Sequence, residues 1–282
     1  MQKPSPGSSS GEAAGGRRAD ADARHVMAVG LGPAARVWRC RQRGAPEDRS
    51  LSVAFIGLFV EFTLRHTITS VLMAQPRLVD LLDPATTALV TQECQGGVIG
   101  PQAGLPMLAE EARREAIPNI AKLLTSARAA QAAVVHCLIQ RRPDGRGSNT
   151  NARLFASAKS FSADLTPGSP GASVLPEFGP EPTDLVLTRL HGAGPMTGTE
   201  LDSVLRNLGI KTIVGVGVSV NVAITNFAMD AVNRGYQFVL PRDAVSGFPR
   251  EYAEAVIDNT LALLTTVTTT DAVVEAWASL TS

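Results

Sequence analysis

Few residues in this chain are of a type and placement that could do chemistry. A carboxylate closes one apolar run, Ala88-Leu-Val-Thr-Gln-Glu-Cys-Gln95, and a guanidinium follows another, with Asp184–Thr188 leading into Arg189. A carboxylate at the end of a buried strand is partly desolvated, which moves Glu93 toward the range where it can transfer protons near neutrality. Arg189 is permanently protonated and could anchor an anionic substrate. A third segment, Gly215-Val-Gly-Val-Ser-Val-Asn-Val-Ala-Ile-Thr-Asn-Phe-Ala-Met-Asp230, reads as an apolar strand passing through a tight turn straight into a helix. At the carboxyl edge of a parallel sheet such a turn aims backbone N–H groups into the crevice where open α/β folds place ligands and nucleophiles. Here the turn carries Ser219, Asn221 and, where a nucleophile is expected, Ala223. His191 is a lone loop histidine and a weaker candidate for an acid or base. The three cysteines, Cys40, Cys94 and Cys137, are odd in number and lack metal or redox spacing, which suits a reducing, cytoplasmic compartment. Cys94 alternates away from Glu93, and Cys137 lies inside an apolar strand beside His136, so neither is expected to replace the missing nucleophile.

From about residue 84 onward, short β-branched runs alternate with helical periods, the pattern of β-α-β units. Strands are predicted at Thr87–Gln92, Ala132–Ile139, Asp184–Thr188, Thr212–Val216 and Gln237–Leu240. Helices are predicted at Glu111–Ala129 with a kink or restart at Pro118, Thr199–Leu208 capped by Thr197 or Thr199 and stopped at Gly209, Asn221 to Gly235, and Pro249–Leu264. A short helical piece near Asn151–Ala158 sits within a Gly/Pro/Ser/Asn-rich stretch, 141–180, that reads as cover for a site. The fold class is therefore α/β: a doubly wound, mainly parallel sheet of five or six strands with helices on both faces.

The 282 residues have 44% hydrophobic content and suffice for one substantial core. Lys+Arg and Asp+Glu balance at 26 each, but residues 1–72 hold ten basic against six acidic residues, so a basic leader precedes a mildly acidic domain at 73–282. Residues 1–24 have almost no large apolar side chain and are expected to be disordered. Residues 52–72 are apolar, but Glu61, Arg65 and His66 interrupt the run, so a membrane span is not expected. Met73 is a candidate natural start. No basic stripe with interleaved aromatics exists, which argues against a nucleic-acid partner.

The turn segment resembles the nucleophile turn of the isochorismatase-like hydrolases, a superfamily that includes nicotinamidases and N-carbamoyl amidohydrolases, whose motif is roughly G-V-x-T-x-x-C-V. Gly217-Val-Ser-Val-Asn-Val-Ala-Ile224 fits that frame with alanine in the cysteine slot. Three further segments agree in order. The strand ending Glu93-Cys-Gln95 is similar to the family's Asp-x-Gln, Thr188–Leu201 resembles its lysine loop with Arg189 at the lysine position, and Arg234–Gly247 resembles its R-G-Y strand with a later Asp-Ala. The resemblance implies a cis peptide before Ser219, an oxyanion hole from the Ser219 and Ala223 amides, Gln95 as a companion to Glu93, and Asn221 as a helix-start group. It implies a hydrolase of a small molecule in which Glu93 is the general acid, Arg189 holds a substrate carboxylate and no thiol takes part. The alternative is a pseudoenzyme binding a small molecule or protein. A homo-oligomer is implied by resemblance alone. The nicotinamidase D-x-H metal motif has no counterpart between residues 139 and 160, so no metal and no other cofactor is expected.

Overall fold

The computed structural model describes residues 76–157 and 162–281. The expectations for the leader, the apolar run at 52–72, Met73 and Cys40 lie outside these residues. Seven strands form one sheet: β1 (Thr87–Gln92), β2 (Ala133–Ile139), β3 (Leu185–Arg189), β4 (Thr212–Val218), β5 (Gln237–Pro241), β6 (Val245–Ser246) and β7 (Thr266–Thr268). Their order is β3-β2-β1-β4-β5-β7, with β6 alongside β4, and every pairing between them is parallel. Helices α1 (Leu78–Leu81), α2 (Gly96–Ile99), α3 (Pro106–Arg114), α4 (Ala116–Ala129), α5 (Arg153–Ser157), α6 (Leu201–Asn207), α7 (Thr225–Asn233), α8 (Arg250–Asn259) and α9 (Thr270–Leu280) fill the connections.

The central strands read as unbroken apolar runs because both of their faces are covered: every residue of β1 and β4 is buried. On one face Leu89, Val134 and Val214 pack with Ile120 and Leu124 of α4 and Trp277 of α9. On the other Val90, Val135 and Ile213 pack with Leu205 of α6, Phe227 of α7 and Ile257 of α8. Phe227 meets Phe238 edge-to-face at 5.0 Å between centroids. The Phe238 ring reaches so far under β4 that a Cβ on Gly215 would fall 2.1 Å from its Cζ. Gly215→Ala is expected to destabilise the protein by about 2 kcal/mol through overpacking, read as a lower denaturant midpoint. An unchanged midpoint would mean that the ring shifts freely.

Helices differ from expectation at their ends. The predicted Glu111–Ala129 helix is two helices, broken at Glu115 (φ −143°), and Pro118 sits in the first turn of α4, where a missing N–H costs no intrahelical bond. The predicted Pro249–Leu264 helix stops at Asn259. It is followed by β7, a three-residue strand within a threonine-rich run, and then by α9, whose N-cap Thr269 accepts the Ala272 N–H. These elements, with the two-residue β6, raise the strand count from five or six to seven. Strands this short carry too few residues for alternation to register in sequence.

Candidate active site

Three strand ends converge at the carboxyl edge of the sheet. Glu93 follows β1 in the left-handed region (φ 54°), a conformation that costs a residue with a side chain on the order of 1 kcal/mol and is held by its surroundings. Its N–H donates to the Cys137 carbonyl at 2.8 Å. Two residues on, the Gln95 amide donates to the carbonyls of Ile139 and Gly171, each at 2.9 Å, and accepts the Ile139 N–H at 2.7 Å. Fully buried and committed to backbone, Gln95 ties the end of β2 to the 170s loop and is absent from the cavity wall described below. Gly217 (φ 110°) lets β4 close on β1, since a Cβ there would lie 2.3 Å from the Gln92 carbonyl oxygen.

Arg189, the last residue of β3, turns its guanidinium onto Glu93: Nη2 bonds Oε1 and also donates to the Ala193 carbonyl at 3.1 Å. The side chains are 3% (Arg189) and 18% (Glu93) exposed. Burial pushes the Glu93 carboxyl above the ordinary glutamate range, and the neighbouring guanidinium pulls the other way without cancelling that effect. Burial is the larger of the two influences. Arg189 is absent from the wall of the cavity that Glu93 lines, described below, but lines a second cavity of about 630 Å³ together with Cys137, His191 and Thr199. In the folded chain Arg189 is the charge partner of Glu93.

After β4 the Val218–Ser219 peptide is cis, and Val220–Ile224 winds as a π turn into α7. Ser219 and Ala223 line a cavity of about 170 Å³ together with Glu93. Asn221 lies off the cavity wall, with its amide donating to the Phe248 carbonyl at 2.8 Å, so it braces the loop before α8. The 141–180 stretch contributes Arg141, Asn149, Leu154, Phe155 and Leu165 to the wall, joined by Leu105, just before α3, and Leu108 within it. Sequence reading did not single out these apolar side chains, because no local pattern separates a cavity wall from a core. His191 is exposed at the cavity edge against Gly198. Thr199 accepts the Leu201 N–H at 3.2 Å at the start of α6, while Thr197 donates to Asp230 at 2.7 Å. Asp243 accepts the Thr270 N–H at 2.8 Å, fastening the start of α9.

The two described thiols are buried and absent from the wall of the cavity that Glu93 lines. Burial, reinforced by the Glu93 charge, pushes Cys94 far up, and burial takes Cys137 to about 12 although Arg189 opposes it. Beside Cys137, buried His136 contacts Thr91 Oγ1 at 2.8 Å and Asp184 at 3.3 Å, and Asp184 in turn bonds Arg128 at 2.6 Å. Burial lowers the His136 value despite Asp184. The imidazole is thus occupied in an internal network. Ala223→Cys is expected to react with iodoacetamide at least tenfold faster than Cys94 or Cys137, as followed by peptide mass spectrometry. Equal labelling of the three would mean that residue 223 is closed to solutes. Among the described residues no cluster of His, Cys, Asp and Glu could hold a metal ion.

The model of the isochorismatase domain matches residues 87–272, which spans all three converging strand ends. The chain belongs to the isochorismatase family. An isochorismatase family protein of Bacillus subtilis is 37% identical over 86 residues, covering 30% of this chain and 45% of that protein. A secreted isochorismatase effector of Verticillium dahliae is 32% identical over 128 residues, or 45% of this chain and 58% of the effector. The matches thus span about half the length of these two relatives. In structure, a cysteine hydrolase from Pseudomonas syringae pv. phaseolicola 1448A superposes with a TM-score of 0.62 at 24% identity, covering 74% of this chain and all of that one. This similarity supports the shared α/β fold. Among the described residues of this family member, no helix is long and apolar enough to cross a membrane.

Proposed function

We propose that this isochorismatase-family protein is a hydrolase of a small molecule that uses Glu93 as general acid and no thiol nucleophile. The observation that carries the reading is a carboxyl held above its ordinary range by burial, in the wall of a cavity whose nucleophile position is Ala223. Acid catalysis needs a group that is neutral before the step and tolerated as an anion after it. For an enol ether, Glu93 gives its proton to the vinyl carbon and Arg189 stabilises the resulting carboxylate. Water then adds to the oxocarbenium carbon, and the adduct loses alcohol to leave a carbonyl as Glu93 recovers the proton from the added water. Ser219 and Ala223 amides would stabilise developing oxyanion character. The domain division at residue 73, a cytoplasmic site of action and a homo-oligomeric state belong to the same reading.

The second reading is a pseudoenzyme that keeps the cavity for binding. It is favoured by the close engagement of Glu93 with Arg189 and by the absence of a side-chain nucleophile at residue 223. The test is a hydrolysis screen of the full chain against enol ethers and amides, alongside thermal-shift binding of the same compounds. Enol-ether turnover supports the first reading. Amide turnover through a covalent enzyme adduct overturns it, and binding without turnover selects the second.

A further inference from the structure

The cavity that Glu93 lines has a wall rich in large apolar side chains, among them Leu105, Leu108, Leu154, Phe155, Leu165 and Val222. Among the described residues of that wall, Glu93 and Arg141 are the only acidic or permanently basic ones. Three of the apolar side chains stay substantially open to solvent: Leu105 is 40% exposed, Leu154 44% and Val222 40%. A single exposed leucine needs no explanation, but three such residues on one cavity wall form the kind of apolar patch that marks a ligand-binding groove. They come from separate segments: Leu105 precedes α3, Leu154 lies in α5 and Val222 in the π turn after β4. The amphipathic period of one helix or strand therefore does not account for their meeting.

Three polar groups of the wall are already engaged within the protein. Glu93 is bonded by Arg189, the Asn149 side-chain oxygen accepts the Gly192 N–H at 2.8 Å, and Arg141 is not without a partner. Dehydrating a charge against aliphatic side chains is costly without a partner, whereas a hydrocarbon group gains there in proportion to the area it buries. We infer that the substrate of this site is a small molecule with an uncharged hydrocarbon body, which seats against Leu105, Leu154 and Val222 while its reacting group reaches Glu93. Leu105 and Leu154 then select substrates by size and polarity. The inference deepens the proposed function and rests on it only for the claim that what binds is also hydrolysed.

Saturated ethers have no vinyl carbon to protonate, so their binding tests the wall apart from the chemistry. Dissociation constants of diethyl ether, butyl ethyl ether, benzyl ethyl ether and β-ethoxypropanoate are measured on the full chain at neutral pH by saturation-transfer NMR. The last compound keeps the ether and about the length of the butyl one, but ends in a carboxylate. Butyl ethyl ether is expected to bind about tenfold tighter than diethyl ether, the gain from burying two further methylenes, and benzyl ethyl ether at least as tightly as the butyl compound. β-Ethoxypropanoate is expected to bind at least about tenfold more weakly than butyl ethyl ether. Leu154→Ser should reduce the preference for butyl over ethyl by at least about half at an unchanged melting temperature, because this side chain is nearly half exposed. Should that variant fail to fold, Leu105→Ser takes its place. Equal affinities across the alkyl series, no binding of any ether, or a preference unchanged in the variants would overturn the inference. So would tighter binding of β-ethoxypropanoate, which would assign the wall to an anion held by Arg141. None of these compounds is turned over, so failure of the acid mechanism leaves the result intact. Conversely, hydrolysis restricted to anionic enol ethers would uphold the proposed function and refute this inference.

Discussion

Glu93→Gln is expected to reduce turnover of a hydrolysed enol ether by at least about 100-fold, the lower range of what a positioned general acid contributes. The substitution preserves size and an oxygen for the Arg189 N–H, while removing the transferable proton. Substrate binding, read by thermal shift, should persist, because the cavity walls formed by Leu105, Leu108, Leu154 and Phe155 are untouched. The decisive comparison is kcat of wild type and variant at matched melting temperature. A rate within threefold of wild type would remove Glu93 from the mechanism.

Arg189→Met carries the largest expected cost in stability. Truncating one member of a buried ion pair leaves the other uncompensated, which costs about 3 kcal/mol or more where both groups are deeply buried. The partial exposure of Glu93 places the expectation at the lower end. The cost should depend on pH in a definite direction. Below the ordinary glutamate range Glu93 is protonated in the folded and unfolded states alike and contributes nothing. As pH rises through that range toward the raised folded value, the unfolded chain releases its proton first and folding stability falls. Loss of the Arg189 charge removes the opposing pull, raises the Glu93 value further, and extends this fall to higher pH. Urea denaturation at pH 5 and pH 8 should show the variant losing more stability at pH 8. Equal losses would mean that Arg189 acts through packing alone.

Much of the framework was legible because it follows from local periodicity. The strand at Thr87–Gln92 lies where its continuous apolar run placed it, and the end of α6 at Gly209 (φ 72°) and the turn at Gly235 (φ 87°) follow from glycine's tolerance of the left-handed region. The short strands β6 and β7 escaped, since pairing with β4 and β5 makes them strands and pairing is not a local property. The site divides in the same way. Sequence put Glu93, Ser219 and Ala223 at strand ends on one edge of a parallel sheet, and the tertiary structure places all three in one cavity wall. It could not place Gln95 and Asn221 away from that wall, because their amides are taken up by backbone from loops distant in the chain.

The sequence by itself determined the α/β architecture, the family, and the presence of Glu93, Arg189 and Ala223 in place of other possible reactive groups. These depend on residue type, periodicity and order along the chain. Only the tertiary structure decided that Arg189 engages Glu93, that burial outweighs its charge, and that Gln92 and Arg189 share the Ala193 carbonyl. Solvation and charge balance depend on which strands lie side by side, and residues 92, 93, 137, 189 and 193 become neighbours only when β1, β2 and β3 pair in register.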